Sequence, residues 1–233
     1  MSPDRPMMKK RILSHIYTAF DQWTTGLLPA CYKGCCHCCS QNVTMTALEG
    51  RIILDAHKDP SRQIRLKKIL QSVDRITPPG LTTNGFAKAC LNNREPDQPS
   101  ALPTPPCPFL EDSICSIYAV RPMNCRCFFS LKRCAPGQAA SIHEFVLSGA
   151  TAVLQLIEHL DQGEPWGNML DILRLDPADG IDVQGIKQRL KTSLPLPGFL
   201  IPPEDFDRVQ PLIQTIFSQT IGGKSIETIL NGG

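Results

Sequence analysis

Cysteine is the residue that most constrains how this chain can fold and what it can bind. The chain has 233 residues and 11 cysteines, and ten of the cysteines fall in two groups. The first group comprises Cys31, Cys35, Cys36, Cys38 and Cys39. The second group comprises Cys107, Cys115, Cys125, Cys127 and Cys134, and Cys90 stands alone between the two. Such dense spacing predicts either metal ligation or redox chemistry.

The N-terminal sequence bears on the redox state of these thiols. Lys9, Lys10 and Arg11 are followed by an amphipathic run rather than by the unbroken apolar stretch of a secretion signal. Nowhere does the chain reach the ~18 consecutive apolar residues that a membrane span requires. We therefore expect a cytoplasmic protein without a membrane partner, whose cysteines are reduced and available to metals rather than paired in disulfides.

Composition and the missing motifs exclude several functions. Hydrophobic residues make up 42% of the chain, which suits a globular protein, and 24 Lys plus Arg against 22 Asp plus Glu give a net charge of +2. This balance lacks the basic footprint of a nucleic-acid binder. The sequence also lacks the motifs G-x-S-x-G, H-E-x-x-H, G-x-x-x-x-G-K-[ST] and G-x-G-x-x-G. It therefore gives no support for a hydrolase, a zincin or a nucleotide-binding enzyme.

Hydrophobic periodicity predicts a mainly α fold, in which helices surround irregular cysteine-rich loops with little or no β structure. Helical patterns cover 10–23, 62–76, 86–91, 142–160, 166–175, 182–194, 206–221 and 225–230, and the capping box Thr46-Ala47-Leu48-Glu49 begins another helix that runs to about His57. We predict an N-terminal amphipathic helix (1–30), a cysteine-cluster metal-binding domain (31–136) and a C-terminal helical region packed on it (137–233). The proline-rich stretch 92–106 is predicted to be a loop.

The first cysteine group has the spacing of a metal-binding turn. Cys35 and Cys38 form a C-x2-C pair, which can coordinate one ion from a tight turn. Gly34 supplies conformational freedom just before this pair. The adjacent pair Cys38-Cys39 is different, because successive side chains diverge and seldom reach the same metal. It indicates two neighbouring metals or one multinuclear centre.

The second group combines cysteines with stiff and basic neighbours. Pro108 and Pro122 each lie beside prospective ligands and reduce the entropy lost when a site is organised. Arg121 and Arg126 can lower thiol pKa values and donate hydrogen bonds to thiolate sulfur, so we predict that both support the metal ligands from outside the coordination shell. Neither group offers a complete ligand set alone, and we expect the two groups to converge.

At these residues the chain resembles the YkgJ-type cysteine-cluster family, described as a zinc- or iron-chelating domain. The family pattern is C-x2-C-x2-C-C followed by Cys-Pro-Phe-Leu and then Cys-x-Ile-Tyr-x-x-Arg-Pro-x-x-Cys-Arg. The second half matches from Cys107 to Arg126 without a gap. In the first half, Cys31 lies four residues before Cys35 instead of three. Either Cys31 takes the opening role with a bulged loop, or Cys36 substitutes. Flagellin lysine methylase is a distant relation through a similar cysteine arrangement.

These patterns and the resemblance together predict eight metal ligands: Cys31, Cys35, Cys38, Cys39, Cys107, Cys115, Cys125 and Cys134. The roles of Cys36 and Cys127 are left open, while His37 is expected to face solvent and Cys90 to fill the core. Large aromatic residues, among them Trp23, Trp166, Phe128 and Phe129, are also expected in the core.

The predicted function is metal binding, with zinc or iron as the cofactor and an iron–sulfur cluster as one form of it, because all-thiolate sites serve both. One alternative is an iron or iron–sulfur enzyme that modifies protein side chains, as the methylase relation suggests. The other is a structural zinc module that binds a protein partner.

Overall fold

The computed structural model describes residues 4–73, 76–96, 105–135, 138–175 and 183–232. The predicted mainly α fold with little β structure is confirmed. The helices are α1 (Asp4–Trp23), α2 (Ala47–Ala56), α3 (Pro60–Gln71), α4 (Thr83–Leu91), α5 (Met123–Cys127), α6 (Glu144–Leu160), α7 (Met169–Leu173), α8 (Val183–Arg189), α9 (Phe206–Ser218) and α10 (Ile226–Leu230). None of the helices in the described ranges combines the length and apolar character needed to cross a membrane.

The strands are short, and one of the sheets that they form joins distant parts of the chain. They are β1 (Thr44–Thr46), β2 (Leu110–Glu111), β3 (Ile114–Cys115), β4 (Pro165–Asn168), β5 (Lys191–Thr192), β6 (Thr220–Ile221) and β7 (Lys224–Ser225). An antiparallel sheet in the order β1-β4-β5 links the cysteine region to the C-terminal half. The strands β2 and β3 form one hairpin, and β6 and β7 form another.

One hydrophobic core is shared by the two ends of the chain. The apolar stripe of α1, including Ile12, Ile16 and Phe20, packs against α6 and α9. The T-x-x-E motif forms a complete capping box, since the Thr46 hydroxyl accepts from the Glu49 amide and the Glu49 carboxylate accepts from the Thr46 amide. This motif starts α2 where the sequence predicts it.

A second core lies beneath the cysteines of the second group. It contains buried residues from α2, α3 and α7, together with Phe109 and Ile117 from the cysteine region. Cys107, Cys115 and Cys125 pack against this core, while Cys127 packs against the first. The helix α5 therefore lies between the two cores, which fixes the position of its cysteines.

Several sequence predictions are wrong in detail. The pattern over 182–194 is helical only as α8, which ends at Arg189 before β5, and the helix predicted over 206–221 is α9, which ends at Ser218 before β6. The helical pattern over 166–175 is split, because Trp166 pairs with Thr46 in the sheet and Asn168 then caps the short helix α7. The helix predicted over 62–76 is α3, which starts at Pro60 and ends at Gln71, with Ser72 as its C-cap. Phe128 was predicted to be buried but is 52% exposed. Most of the predicted loop 92–106, namely 97–104, lies outside the described residues.

Candidate metal centre

The two cysteine groups meet through backbone hydrogen bonds. The Cys107 amide donates to the Cys39 carbonyl over 3.1 Å, and Ser40 forms an antiparallel bridge with Pro106. One residue further on, the Gln41 amide donates to the Pro105 carbonyl over 3.0 Å. These contacts join segments that are more than 60 residues apart in sequence. The end of the first group is thereby held against the beginning of the second.

Around this junction lies a cavity of about 650 Å³. Seven of the eight predicted ligands line it: Cys31, Cys35, Cys38, Cys39, Cys107, Cys115 and Cys125. Arg121 and Arg126 line it as well. The predicted convergence of the two groups is therefore confirmed at the level of a shared cavity.

Turns hold the first group in place. The Cys35 amide donates to the Tyr32 carbonyl over 2.9 Å and the Cys39 amide to the Cys36 carbonyl over 3.0 Å. Between these turns Gly34 has a φ of +94°, a conformation that glycine adopts without strain. Cys31 is fixed separately, because its sulfur accepts a 3.4 Å hydrogen bond from the Ser130 amide. The group is thus a series of short turns with no helix or strand of its own.

The second group begins on a hairpin. Asp112 and Ser113, which connect β2 to β3, both have positive φ angles, as a two-residue hairpin turn with the twist of its strands requires. Beyond β3, the Ser116 amide and hydroxyl both donate to the Phe109 carbonyl, at 2.8 and 3.0 Å. The Phe109 side chain is buried in the second core. This anchors the hairpin and its terminal cysteine, Cys115.

The second group ends on α5, whose start is held by a buried carboxylate. One Glu49 oxygen accepts from the Met123 amide and from the Tyr17 hydroxyl, each over 2.8 Å. The other oxygen accepts from the Thr46 amide over 2.9 Å. Burial raises the pKa of Glu49, although these hydrogen bonds favour its ionised form. Glu49 therefore ties the first turn of α5, two residues before Cys125, to both α1 and α2.

A second side chain fixes α5 from the sheet side. The Asn124 amide group donates to the backbone carbonyl and to the hydroxyl of Thr44, in both cases over 2.9 Å. Sequence analysis identified Glu49 only as a helix cap and did not identify Tyr17 or Asn124 at all. The capping box was a usable signal for Glu49, whereas the partners of Tyr17 and Asn124 lie at least 32 residues away.

The two arginines occupy different positions beside the cavity. Arg121 donates to the Tyr118 carbonyl over 2.8 Å, and its guanidinium lies 3.8 Å above the ring centre of the same tyrosine. Arg126 pairs with Asp21 at 2.9 Å and lies 4.3 Å above the Tyr17 ring. The hydrogen bonds that the structure gives these side chains go to carboxylate and carbonyl oxygens, so the predicted donation to thiolate sulfur stays a prediction.

Burial dominates the acidity of Cys107, Cys115 and Cys125 in the second group. It raises the pKa of Cys107 and Cys115, and it raises that of Cys125 to about 12, with the charges of the two other thiols adding to the effect. The charge of Arg121 acts in the opposite direction on Cys115 and Cys125. A metal ion would have to displace protons from these thiols, so its affinity should increase with pH.

The first group contains a thiol with the opposite tendency. The interaction between the neighbouring thiols of Cys38 and Cys39 lowers the pKa of Cys38 and raises that of Cys39. Cys38 is therefore the thiol of the pair that ionises first. It is exposed, so it is also accessible to an incoming metal ion.

The remaining cysteines and His37 lie outside the cavity lining. Desolvation raises the pKa of Cys31, and the charge of Cys134 is one of the smaller contributions. The neighbour of Cys134, Arg133, has its guanidinium 5.8 Å from the ring centre of Tyr32, which follows Cys31 in the chain. Burial strongly raises the pKa of Cys127, which packs against the first core. His37 is exposed, as expected, and Cys90 is half-buried on α4.

The thiols share a cavity without already forming a coordination sphere. Across the described ranges, no set of three or more His, Cys, Asp or Glu side chains is arranged to hold a metal ion. The donor type suits zinc, iron and iron–sulfur clusters. Coordination would nevertheless require the sulfur atoms to move closer together.

Comparison with known proteins yields no relative. No family model matches the chain, and neither a curated protein nor a solved structure matches it.

Proposed function

We propose that this protein binds zinc or iron, including iron as an iron–sulfur cluster, through the thiols of the cysteine-lined cavity. The supporting observation is that residues from Cys31 to Cys125, brought from two distant segments, line one cavity. A chance distribution of buried cysteines would place them throughout the cores. The resemblance to YkgJ-type proteins agrees with this proposal and is itself a prediction.

The difference between the two groups suggests how metal binding would proceed. The second group is held by a hairpin and by α5, so its thiols are kept near their final positions. The first group is held by turns, which can adjust at small cost. We propose that Cys31, Cys35, Cys38 and Cys39 move towards Cys107, Cys115 and Cys125 as the metal binds, with Cys134 joining from beside Cys31. Eight thiolates would satisfy two four-coordinate ions or one larger centre.

Anaerobic purification followed by metal analysis, acid-labile sulfide analysis and a visible spectrum tests the proposal. We expect bound zinc or iron in the wild type, and coupled losses of metal and stability in Cys115→Ser, because metal binding at such sites is coupled to folding. Cys90→Ser is the matched control and should retain the wild-type metal content. A wild-type protein that holds no metal under these conditions would refute the proposal.

A second candidate function is that of an iron or iron–sulfur enzyme that modifies protein side chains. The observation that favours it is the size of the cavity, about 650 Å³, which leaves room for a substrate beside the metal. An enzyme needs an open coordination position, whereas a structural zinc module has all its positions filled. A shift of the visible spectrum on addition of cyanide would favour the enzyme, and a colourless, unresponsive zinc protein would favour the structural module with a protein partner.

The proposal includes no nucleic-acid partner. Eight thiolates with two divalent ions contribute −8 + 4 = −4, which together with the formal charge of +2 leaves −2. A protein of that charge repels a phosphate backbone overall. We also propose a cytoplasmic location, where the thiols would stay reduced.

A further inference from the structure

The cysteine-lined cavity has a large apolar wall as well as its thiols. Leu110, Ile114, Phe128 and Phe129 contribute to this wall. The cavity volume of about 650 Å³ falls in the range of pockets that enclose small organic molecules, roughly 300–1,000 Å³. Zinc ions held by thiolates need no such wall, because their ligands are the sulfur atoms themselves.

Several of the apolar side chains along the cavity are exposed to solvent. Phe128 is 52% exposed, Ile114 is 45% exposed and Tyr118 is 62% exposed. Single exposed apolar residues are ordinary, but these three line one cavity, and exposed apolar side chains gathered at a cavity are typical of a binding site. Ile114 belongs to β3, Tyr118 to a 3-10 helix and Phe128 to the segment that follows α5.

One cation on the cavity wall has hydrogen-bond donors to spare. Arg121 is fixed by its bond to the Tyr118 carbonyl and by the ring beneath it. Its other guanidinium N–H groups have no partner in the part of the chain that the structure describes. A guanidinium held flat in this way presents paired donors that match a carboxylate or sulfonate.

Positively charged side chains outnumber carboxylates around the cavity. Apart from the thiols, the charged residues that line it are Lys33, Arg121, Arg126 and Asp21, which gives three positive charges and one negative charge. Asp21 is engaged by Arg126. Two bound divalent ions offset half of the charge of eight thiolates, and Arg121, which has no carboxylate partner among the described residues, remains available to a ligand.

We propose that the cavity binds a small organic anion beside the metal, with its carboxylate or sulfonate on Arg121 and its apolar body against Phe128, Phe129 and Ile114. This inference rests on the proposed function, since the bound metal is what offsets part of the thiolate charge in the cavity. The inference goes beyond metal binding, because it assigns a class of ligand to the part of the cavity that the thiols do not occupy.

Two matched fluorescent probes test the inference on metal-loaded protein. 8-Anilinonaphthalene-1-sulfonate carries a sulfonate, and N-phenyl-1-naphthylamine is the same molecule without it. We expect saturable binding of both probes in the wild type. Arg121→Gln should weaken the sulfonate probe about 10-fold, as loss of a charged hydrogen bond does, and leave the neutral probe within about twofold. Phe128→Ala should weaken both, and Phe206→Ala, an equally exposed phenylalanine on α9, should weaken neither.

Metal content and cooperative unfolding are measured on every sample, so that the two proposals fail separately. If Arg121→Gln loses metal, the comparison is made with Arg121→Lys, which retains the charge but not the paired donors. A metal-loaded protein whose sulfonate probe binds equally well with either substitution at Arg121 would overturn the inference alone. A wild type without metal would overturn the proposed function, and arginine-dependent sulfonate binding in that protein would still support the anion site.

Discussion

The two cysteine groups differ in how the rest of the protein supports them. The second group lies on a hairpin and on α5, and its helix is held at Met123 by Glu49 and at Asn124 by Thr44. The first group is held by two turns, of which one passes through Gly34, by the bond from the Ser130 amide to the Cys31 sulfur, and by the bond from the Cys107 amide to the Cys39 carbonyl. The second group is therefore packed against the hydrophobic cores, whereas the first group lies in turns beside the second group.

This difference shows that the two groups contribute differently to one site. The hydrogen bonds that hold the second group are buried or partly buried. Their loss should lower the stability of the fold as well as displace the thiols. Supports of the first group are local turns, which cost little to rearrange and contribute little to global stability. Metal binding would then organise the first group against a second group that is already in place.

The largest expected effect is that of Glu49→Ala. It leaves the buried amides of Met123 and Thr46 and the hydroxyl of Tyr17 without their acceptor. Each buried group left without a partner lowers the free energy of unfolding by about 1–3 kcal/mol. Because the surrounding structure relaxes in part, we expect a total loss of about 3 kcal/mol. We expect the free energy of unfolding, measured by urea titration, to fall by about this amount. Metal affinity should fall about 10-fold to 100-fold.

The matched control is Glu144→Ala. Glu144 is also in the first turn of a helix, α6, but it is exposed. Its loss should cost only about 0.5 kcal/mol, which is the usual contribution of a surface acid near a helix N-terminus. Equal costs for the two substitutions would show that the second group does not depend on the buried carboxylate.

A smaller effect is expected on proteolysis of the first group. Lys33 is exposed beside the turn at Gly34, whereas the Arg126 side chain in the second group is only 10% exposed. Because a ligand that binds the closed state lowers the population of open states, metal should slow tryptic cleavage after Lys33 by about 10-fold or more. Cleavage after Arg126 should be slow with and without metal. Mass spectrometry of timed digests measures both rates.

Lys33→Gln provides the control, because it removes the metal-sensitive cleavage and leaves the remaining digest unchanged. If metal protects Arg126 as strongly as Lys33, the second group is not preformed, and the contrast between the groups is wrong.

The sequence predicts the helices well because their signals are local. The apolar stripe of α1 and the capping box of α2 each lie within a few turns of one helix, and both are confirmed. The pattern over 166–175 failed because its first residues pair with β1, more than 100 residues away. The prediction that Phe128 is buried was wrong, because hydrophobicity alone does not distinguish a core position from the wall of an open cavity.

The site was predictable to the extent that its chemistry lies in residue type and spacing. Thiols from both groups line one cavity, and the sequence predicted that they would meet because neither group offers a complete ligand set by itself. The role of Glu49 was not predictable, since its bond to Met123 spans 74 residues and depends on how α2 and α5 pack. The same holds for Tyr17, which reaches Glu49 from α1.

The smallest expected effect separates two neighbouring cysteines. Cys35 lines the cavity, while Cys36 lies outside its lining and contributes its backbone carbonyl to the turn at Cys39. A serine at position 36 retains that carbonyl, so Cys36→Ser should keep its metal and lose no more than about 0.5 kcal/mol of stability. Cys35→Ser should lose metal, as measured by elemental analysis.

This pair also decides which cysteine opens the first group. The spacing leaves Cys31 and Cys36 as alternatives, and the structure places Cys31 on the cavity wall. If Cys31 has the role, Cys31→Ser should reduce metal content while Cys36→Ser does not. The reverse result would mean that the turn at Gly34 rearranges on metal binding and brings Cys36 into the cavity. The first group would then be even more adjustable than its hydrogen bonds indicate.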